Sequence, residues 1–92
     1  MEFYGRYAVE GACGDAFQLV EKKILHSLTN TSRNIENSRY RTGYFREAQV
    51  SIKISENGGN LVFIEMWGDE SRRNKANSIL EERFEIKLKP YN

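Results

Sequence analysis

The order of hydropathy patterns constrains this chain more than any single motif. An alternating stretch is followed by a helical pattern, two alternating stretches joined by Asn57-Gly58-Gly59, a second helical pattern and a last alternating stretch. Period-two alternation marks half-buried strands, and apolar recurrence near 3.6 residues marks amphipathic helices. The order therefore reads β-α-β-β-α-β. Ninety-two residues hold one core, so the chain is assigned a single domain over 1–92. An arrangement of this kind leaves one sheet face without helical cover, and a small domain has few other places to house a function.

Along the first strand Phe3, Gly5, Tyr7 and Val9 take the core side, with Tyr4, Arg6, Ala8 and Glu10 opposite. Gly11 and Gly14 end it. Asp15, followed three residues later by Gln18, has the form of a helix N-cap with a capping-box partner. At 100° per residue Ala16, Phe17, Val20, Ile24, Leu25 and Leu28 gather on one face. From Thr29 to about Tyr44 the pattern lapses into Asn, Ser, Thr and Arg. That length is unusual for a connection, and three readings stay open: an ordered loop, a strand that starts early near Ser38, or a swapped arm. In the early-strand reading Tyr40, Thr42 and Tyr44 share a side with Ala48, Val50, Ile52 and Ile54.

The hairpin is better determined. Ala48, Val50, Ile52 and Ile54 must share a side with Val62, Ile64 and Met66, which requires an odd loop. A three-residue loop, Asn57-Gly58-Gly59, places Ile54 opposite Val62 and Ile52 opposite Ile64. Asp69 caps a second helix to about Leu80 with a thin apolar side of Ala76, Ile79, Leu80 and the stem of Arg83. Phe84, Ile86 and Leu88 form the last strand, stopped by Pro90. Right-handed crossovers applied to this order give an α+β sandwich that resembles the ferredoxin-like arrangement: a four-stranded antiparallel sheet, both helices on one face, strands one and three central. The resemblance rests on element order alone, and that fold serves many functions.

Composition narrows the classes. Fourteen basic against thirteen acidic residues give a net charge of +1, so no global field draws the chain to nucleic acid or lipid. One cysteine, Cys13, forms no intramolecular disulfide and fits a reducing compartment. With no signal-peptide core and no stretch of membrane-spanning length, a cytoplasmic chain is expected. Asn30-Thr31-Ser32 matches a glycosylation acceptor but reads as accidental without a secretory signal.

The uncovered face is expected to display Tyr4 and Arg6, then Gln49, Ser51 and Lys53, then Leu61, Phe63, Glu65 and Trp67. Three aromatic rings and a leucine exceed what a solvated face needs, and such patches mark interfaces. The expected use is homodimerisation or docking of a protein partner, with Tyr4, Phe63 and Trp67 as anchors, Arg6 as polar selector and Glu65 beside them. The alternative is single-stranded RNA, whose bases stack on sheet aromatics, with Arg39, Arg41 and Arg46 on the backbone and Tyr40 among them. RNA-recognition-motif domains share the element order, but in Gly59-Asn60-Leu61-Val62-Phe63-Ile64 only Phe63 stands where a stacking ring belongs. Glu65 would repel phosphate, and the chain is not assigned to that family.

Catalytic readings fare worse. Cys13 sits before a helix start, where a thiol is activated, but the only histidine, His26, is thirteen residues on, roughly 20 Å along the same helix. No zinc-ligand spacing is present, so neither metal nor cofactor is expected. Glu21 falls on the apolar side of the first helix and is expected to snorkel to its edge. Gly11-Ala12-Cys13-Gly14-Asp15 links a strand to a helix, yet it lacks the lysine of a phosphate loop and places Asp15 where phosphate would lie. Acylphosphatases share the element order but carry an arginine in this loop, and here there is none. The chain is read as leaning away from enzyme activity.

Overall fold

The computed structural model describes residues 3–11, 15–36, 39–57 and 61–91. Its strands are β1 (Tyr4–Val9), β2 (Leu28–Asn34), β3 (Tyr40–Phe45), β4 (Val50–Asn57), β5 (Leu61–Trp67) and β6 (Leu88–Pro90). The helices are α1 (Ala16–Ile24), continued by one 3-10 turn (Leu25–Ser27), and α2 (Glu70–Phe84). All six strands join one open antiparallel sheet in the order β2-β3-β4-β5-β1-β6. The fold is α+β. It is not the expected four-stranded ferredoxin-like sheet, because residues 28–45 form two further strands beyond β4. The four strands read from the sequence are neighbours here, β4-β5-β1-β6.

Both helices lie on one face, over a single core of Phe17, Val20 and Ile24 from α1, Ala76 and Leu80 from α2, and alternate residues of the strands. Tyr7, Val50, Ile52, Ile54, Val62, Ile64 and Met66 supply that alternation, as period-two geometry requires. Asp15 accepts from the backbone N–H of Gln18 at 3.3 Å and so caps α1. Asp69 does the same for α2 through the N–H of Arg72 at 2.8 Å.

The polar segment expected as loop, early strand or arm is instead a hairpin that continues the sheet. Leu28 pairs with Phe45, Thr29 with Tyr44 and Arg33 with Arg41, with a register shift between Thr29 and Ser32 where Asn30 adopts φ 53°. Such a bulge twists the strand that carries it. A turn at residues 46–49, with Gln49 at φ 56°, separates β3 from β4. Phe45 therefore stands opposite Val50, and the parity expected for β3 is reversed: Tyr40, Thr42 and Tyr44 align with Ser55, Lys53 and Ser51 on the side away from the helices.

Leu28 and Phe45 anchor the base of this hairpin in the core, and further out charge holds it under α1. Glu21 is only 6% exposed and does not snorkel as expected. Its Oε2 accepts from Arg33 Nε at 2.8 Å and Arg41 Nε at 2.9 Å. Arg39, which precedes β3, forms paired bonds to Glu56 (2.8 and 2.7 Å) and to Asp15 (2.7 and 3.2 Å). The hairpin is thus tied to the N-cap and the middle of α1 and to β4.

Two boundaries also differ from expectation. The β4–β5 register is Ile54 with Ile64 and Ile52 with Met66, so Asn57 pairs with Leu61 and the intervening residues 58–60, which contain most of the expected loop, lie outside the description. The shared parity survives because the slip is even. Helix α2 runs past Leu80 to Phe84, which had been expected in a strand. Glu85 stops it at φ 57°, its N–H bonding Glu81 O while Ile86 N–H bonds Leu80 O at 2.9 Å, an arrangement that satisfies the last carbonyls of a helix. Pro90 sits inside β6, an edge strand, where its missing N–H is tolerated.

Candidate interaction face

Pairing across the sheet arranges the helix-free face in three rows. The first reads Tyr44, Ser51, Trp67, Tyr4 across β3, β4, β5 and β1; the second Thr42, Lys53, Glu65, Arg6; the third Tyr40, Ser55, Phe63, Ala8. Tyr91 follows β6, and its N–H bonds Arg6 O at 2.9 Å, so it stands at the end of the second row. Read along the strands, β5 presents Leu61, Phe63, Glu65 and Trp67, whereas β4 beside it presents Ser51, Lys53 and Ser55. By side-chain size β5 is the bulkier column, a ridge that carries Glu65, and β4 beside it is a trough that is low at Ser51 and Ser55 and carries Lys53 between them. Around Thr42, Tyr44, Ser51 and Trp67 the trough deepens to a depression of about 480 Å³.

The face brings together all five residues expected to meet a partner, in unequal states. Trp67 (43% exposed) and Tyr4 (41%) lie open, their ring centroids 5.4 Å apart and tilted by 50°. Tyr4 donates its hydroxyl to Glu65 Oε2 at 2.5 Å. That bond, with burial and the Glu65 charge in the same direction and Arg6 opposing, holds the phenol above its usual range. Phe63 is only 1% exposed although it lies outside the helix-side core. The Arg6 guanidinium stacks 4.2 Å from its ring centre and Tyr91 packs at 4.8 Å. It is therefore a floor and not an anchor, and Arg6, half-buried between Phe63 and Tyr91, is part of that floor. Tyr44 (37% exposed) and Leu61 (47%) are open instead. Tyr44 was hidden from sequence reasoning by the reversed parity of β3. Gln49, expected on this face, lies in the turn.

The basic residues expected to meet RNA divide between the two faces. Tyr40 is on the open side, under Lys53 Nζ at 4.7 Å and receiving a hydrogen bond from Asn34 Nδ2 at 3.2 Å. Arg41 is turned to the helices and bound to Glu21. Arg39 lies over the Phe17 ring at 4.8 Å with both carboxylate partners engaged. Those partners raise its pKa further, and it holds the carboxyls of Asp15 and Glu56 below their usual range. Arg46 is exposed in the β3–β4 turn.

His26 is exposed in the 3-10 turn, Cys13 lies outside the description together with residues 12–14, and no three His, Cys, Asp or Glu side chains among the described residues gather to hold a metal ion. Nor is any described helix long and apolar enough to cross a membrane. Comparison of the chain with family models, with curated proteins and with solved structures finds no match.

Proposed function

We propose that this chain is a non-catalytic assembly module whose helix-free sheet face pairs with a second copy of itself. One observation carries the reading. Of the eight large apolar side chains exposed among the described residues, five (Tyr4, Tyr44, Leu61, Trp67 and Tyr91) stand on or beside this one face. Apolar surface concentrated in one place marks a contact surface. A net charge of +1 leaves little repulsion between copies, and the middle row carries both signs in Lys53, Glu65 and Arg6. Single-stranded RNA is the competing occupant. The commitment of Arg39 and Arg41 to carboxylates on the opposite side removes two of the cations it would use.

Light scattering at tens of micromolar is expected to give twice the chain mass, and Trp67→Arg is expected to return it to the single mass while the far-ultraviolet spectrum is unchanged. Trp67 emission should shift to the red on dilution. A wild-type protein that stays at the single mass at hundreds of micromolar overturns the reading. Salt-sensitive quenching of its tryptophan by an oligonucleotide would then support RNA instead.

A further inference from the structure

Resting on the self-pairing reading, we infer that the two copies meet about a two-fold axis running along the strands between β4 and β5, so that Trp67 of each copy enters the trough over Ser51 of the other and Lys53 of each meets Glu65 of the other. The ridge on β5 and the trough on β4 are adjacent columns matched level by level, Trp67 with Ser51, Glu65 with Lys53 and Phe63 with Ser55. A two-fold axis between them exchanges the columns and lowers each ridge into a trough, the self-complementarity that an isologous contact demands. An axis through either column would set Glu65 on Glu65 or Lys53 on Lys53.

Shape agrees at the first level and charge at the second. Tyr44 and Trp67 lie two strands apart, roughly 10 Å at the usual strand spacing of about 4.8 Å, with only Ser51 between them. An incoming indole centred over Ser51 lies about 4.8 Å from either ring, inside the range of roughly 4.5–7 Å for favourable aromatic pairs. The depression of about 480 Å³ there is large enough for one indole. One level down, Lys53 and Glu65 are cross-strand neighbours, so the exchange that seats the indole also sets each lysine over the other copy's carboxylate, twice per pair. At the third level Phe63 is covered by Arg6 and Tyr91, so these two side chains, and not the Phe63 ring, meet the other copy over its Ser55. Strands related in this way run nearly aligned, as in packed sheet pairs. The face covers roughly 500 Å² per copy at these spacings, near the lower bound of specific interfaces, which fits a contact formed at micromolar concentration.

Mixing two charge variants tests the register. Lys53→Glu sets carboxylate against carboxylate at both 53–65 contacts of the pair, and Glu65→Lys sets ammonium against ammonium there. Each alone is expected to lose self-association by about 100-fold or more through two like-charge contacts. Mixed in equal amounts they are expected to form a heterodimer of twice the chain mass, weakened by salt. Ser51→Tyr, which fills the trough with both charges intact, is expected to be monomeric and folded. It keeps the idea falsifiable if a charge variant misfolds. If the wild type is dimeric but the variants dimerise alone, or the mixture does not associate, or Ser51→Tyr stays dimeric, this register is wrong while the self-pairing reading stands. A monomeric wild type removes both.

Discussion

Replacing Glu21 with alanine removes the one acceptor that serves both Arg33 and Arg41, and its cost follows from their surroundings. Arg41 has 15% of its side chain exposed and Glu21 7%. Losing a hydrogen bond to a charged group at such a site costs about 1.5–3 kcal/mol. Arg33 is more than a third exposed, so its share is screened and amounts to about 0–1 kcal/mol. Relief of the Glu21 desolvation offsets part of the sum. A net loss of about 2–3 kcal/mol is expected. In a domain of this size, where each kcal/mol moves Tm by about 4–8 °C, that lowers Tm by roughly 10–20 °C. Urea denaturation gives the free energy, and hydrogen exchange gives its location: the amides of β2 and β3 should exchange faster than those of β1 and β5. Glu21→Gln, which keeps an accepting oxygen but no charge, should lose about half as much. A shift below about 0.5 kcal/mol for Glu21→Ala, the range of an ordinary surface change, would refute the claim that this carboxylate fastens the hairpin.

Acid should release the other fastening. The carboxyls of Asp15 and Glu56 lie below their usual range in the folded chain because of Arg39, so their contribution is present above the unfolded carboxylate range, near pH 4, and is lost as pH falls through the folded values. Urea midpoints measured from pH 7 to pH 2 should fall less steeply for Arg39→Gln than for the wild type; equal slopes would deny the coupling. Gly68 is buried where the chain leaves β5 for α2, and a Cβ there would meet Val50 Cγ1 at 2.7 Å. Gly68→Ala should cost about 1–3 kcal/mol, read as a lowered Tm, and an unchanged Tm would show that Val50 yields freely.

The parts of this fold that were legible in the sequence are those whose burial is apolar. Val50, Ile52 and Ile54 against Val62, Ile64 and Met66 announce two paired strands by alternation alone, and Asp15 with Gln18 announces the start of α1. The β2–β3 hairpin is silent for the opposite reason. Beyond Leu28 and Phe45 at its base, where its neighbours place valine and isoleucine it places Arg33 and Arg41, and their burial depends on a carboxylate on another element, which no local pattern reveals. Glu21 on an apolar helix side was the one trace of it. The open face was half legible. Trp67 and Tyr4 follow from parity, but the burial of Phe63 depends on Tyr91, twenty-eight residues later, and the exposure of Tyr44 depends on a four-residue turn that reverses which side of β3 faces the helices. Phe84 misled because an aromatic in an alternating run resembles a strand, while the helix before it continues until a left-handed residue stops it.

The kink at Asn30 limits how far such a molecule can build. β2 is the outermost strand, and a strand with unpaired amides invites another chain to add on and another after that. Here the ladder loses step between Thr29 and Ser32, so an incoming strand finds only short lengths in register. At the opposite border, β6 is three residues long and contains a proline. Both borders are thus blunted against sideways growth into a fibre, and the proposed pairing through the broad side would leave them so.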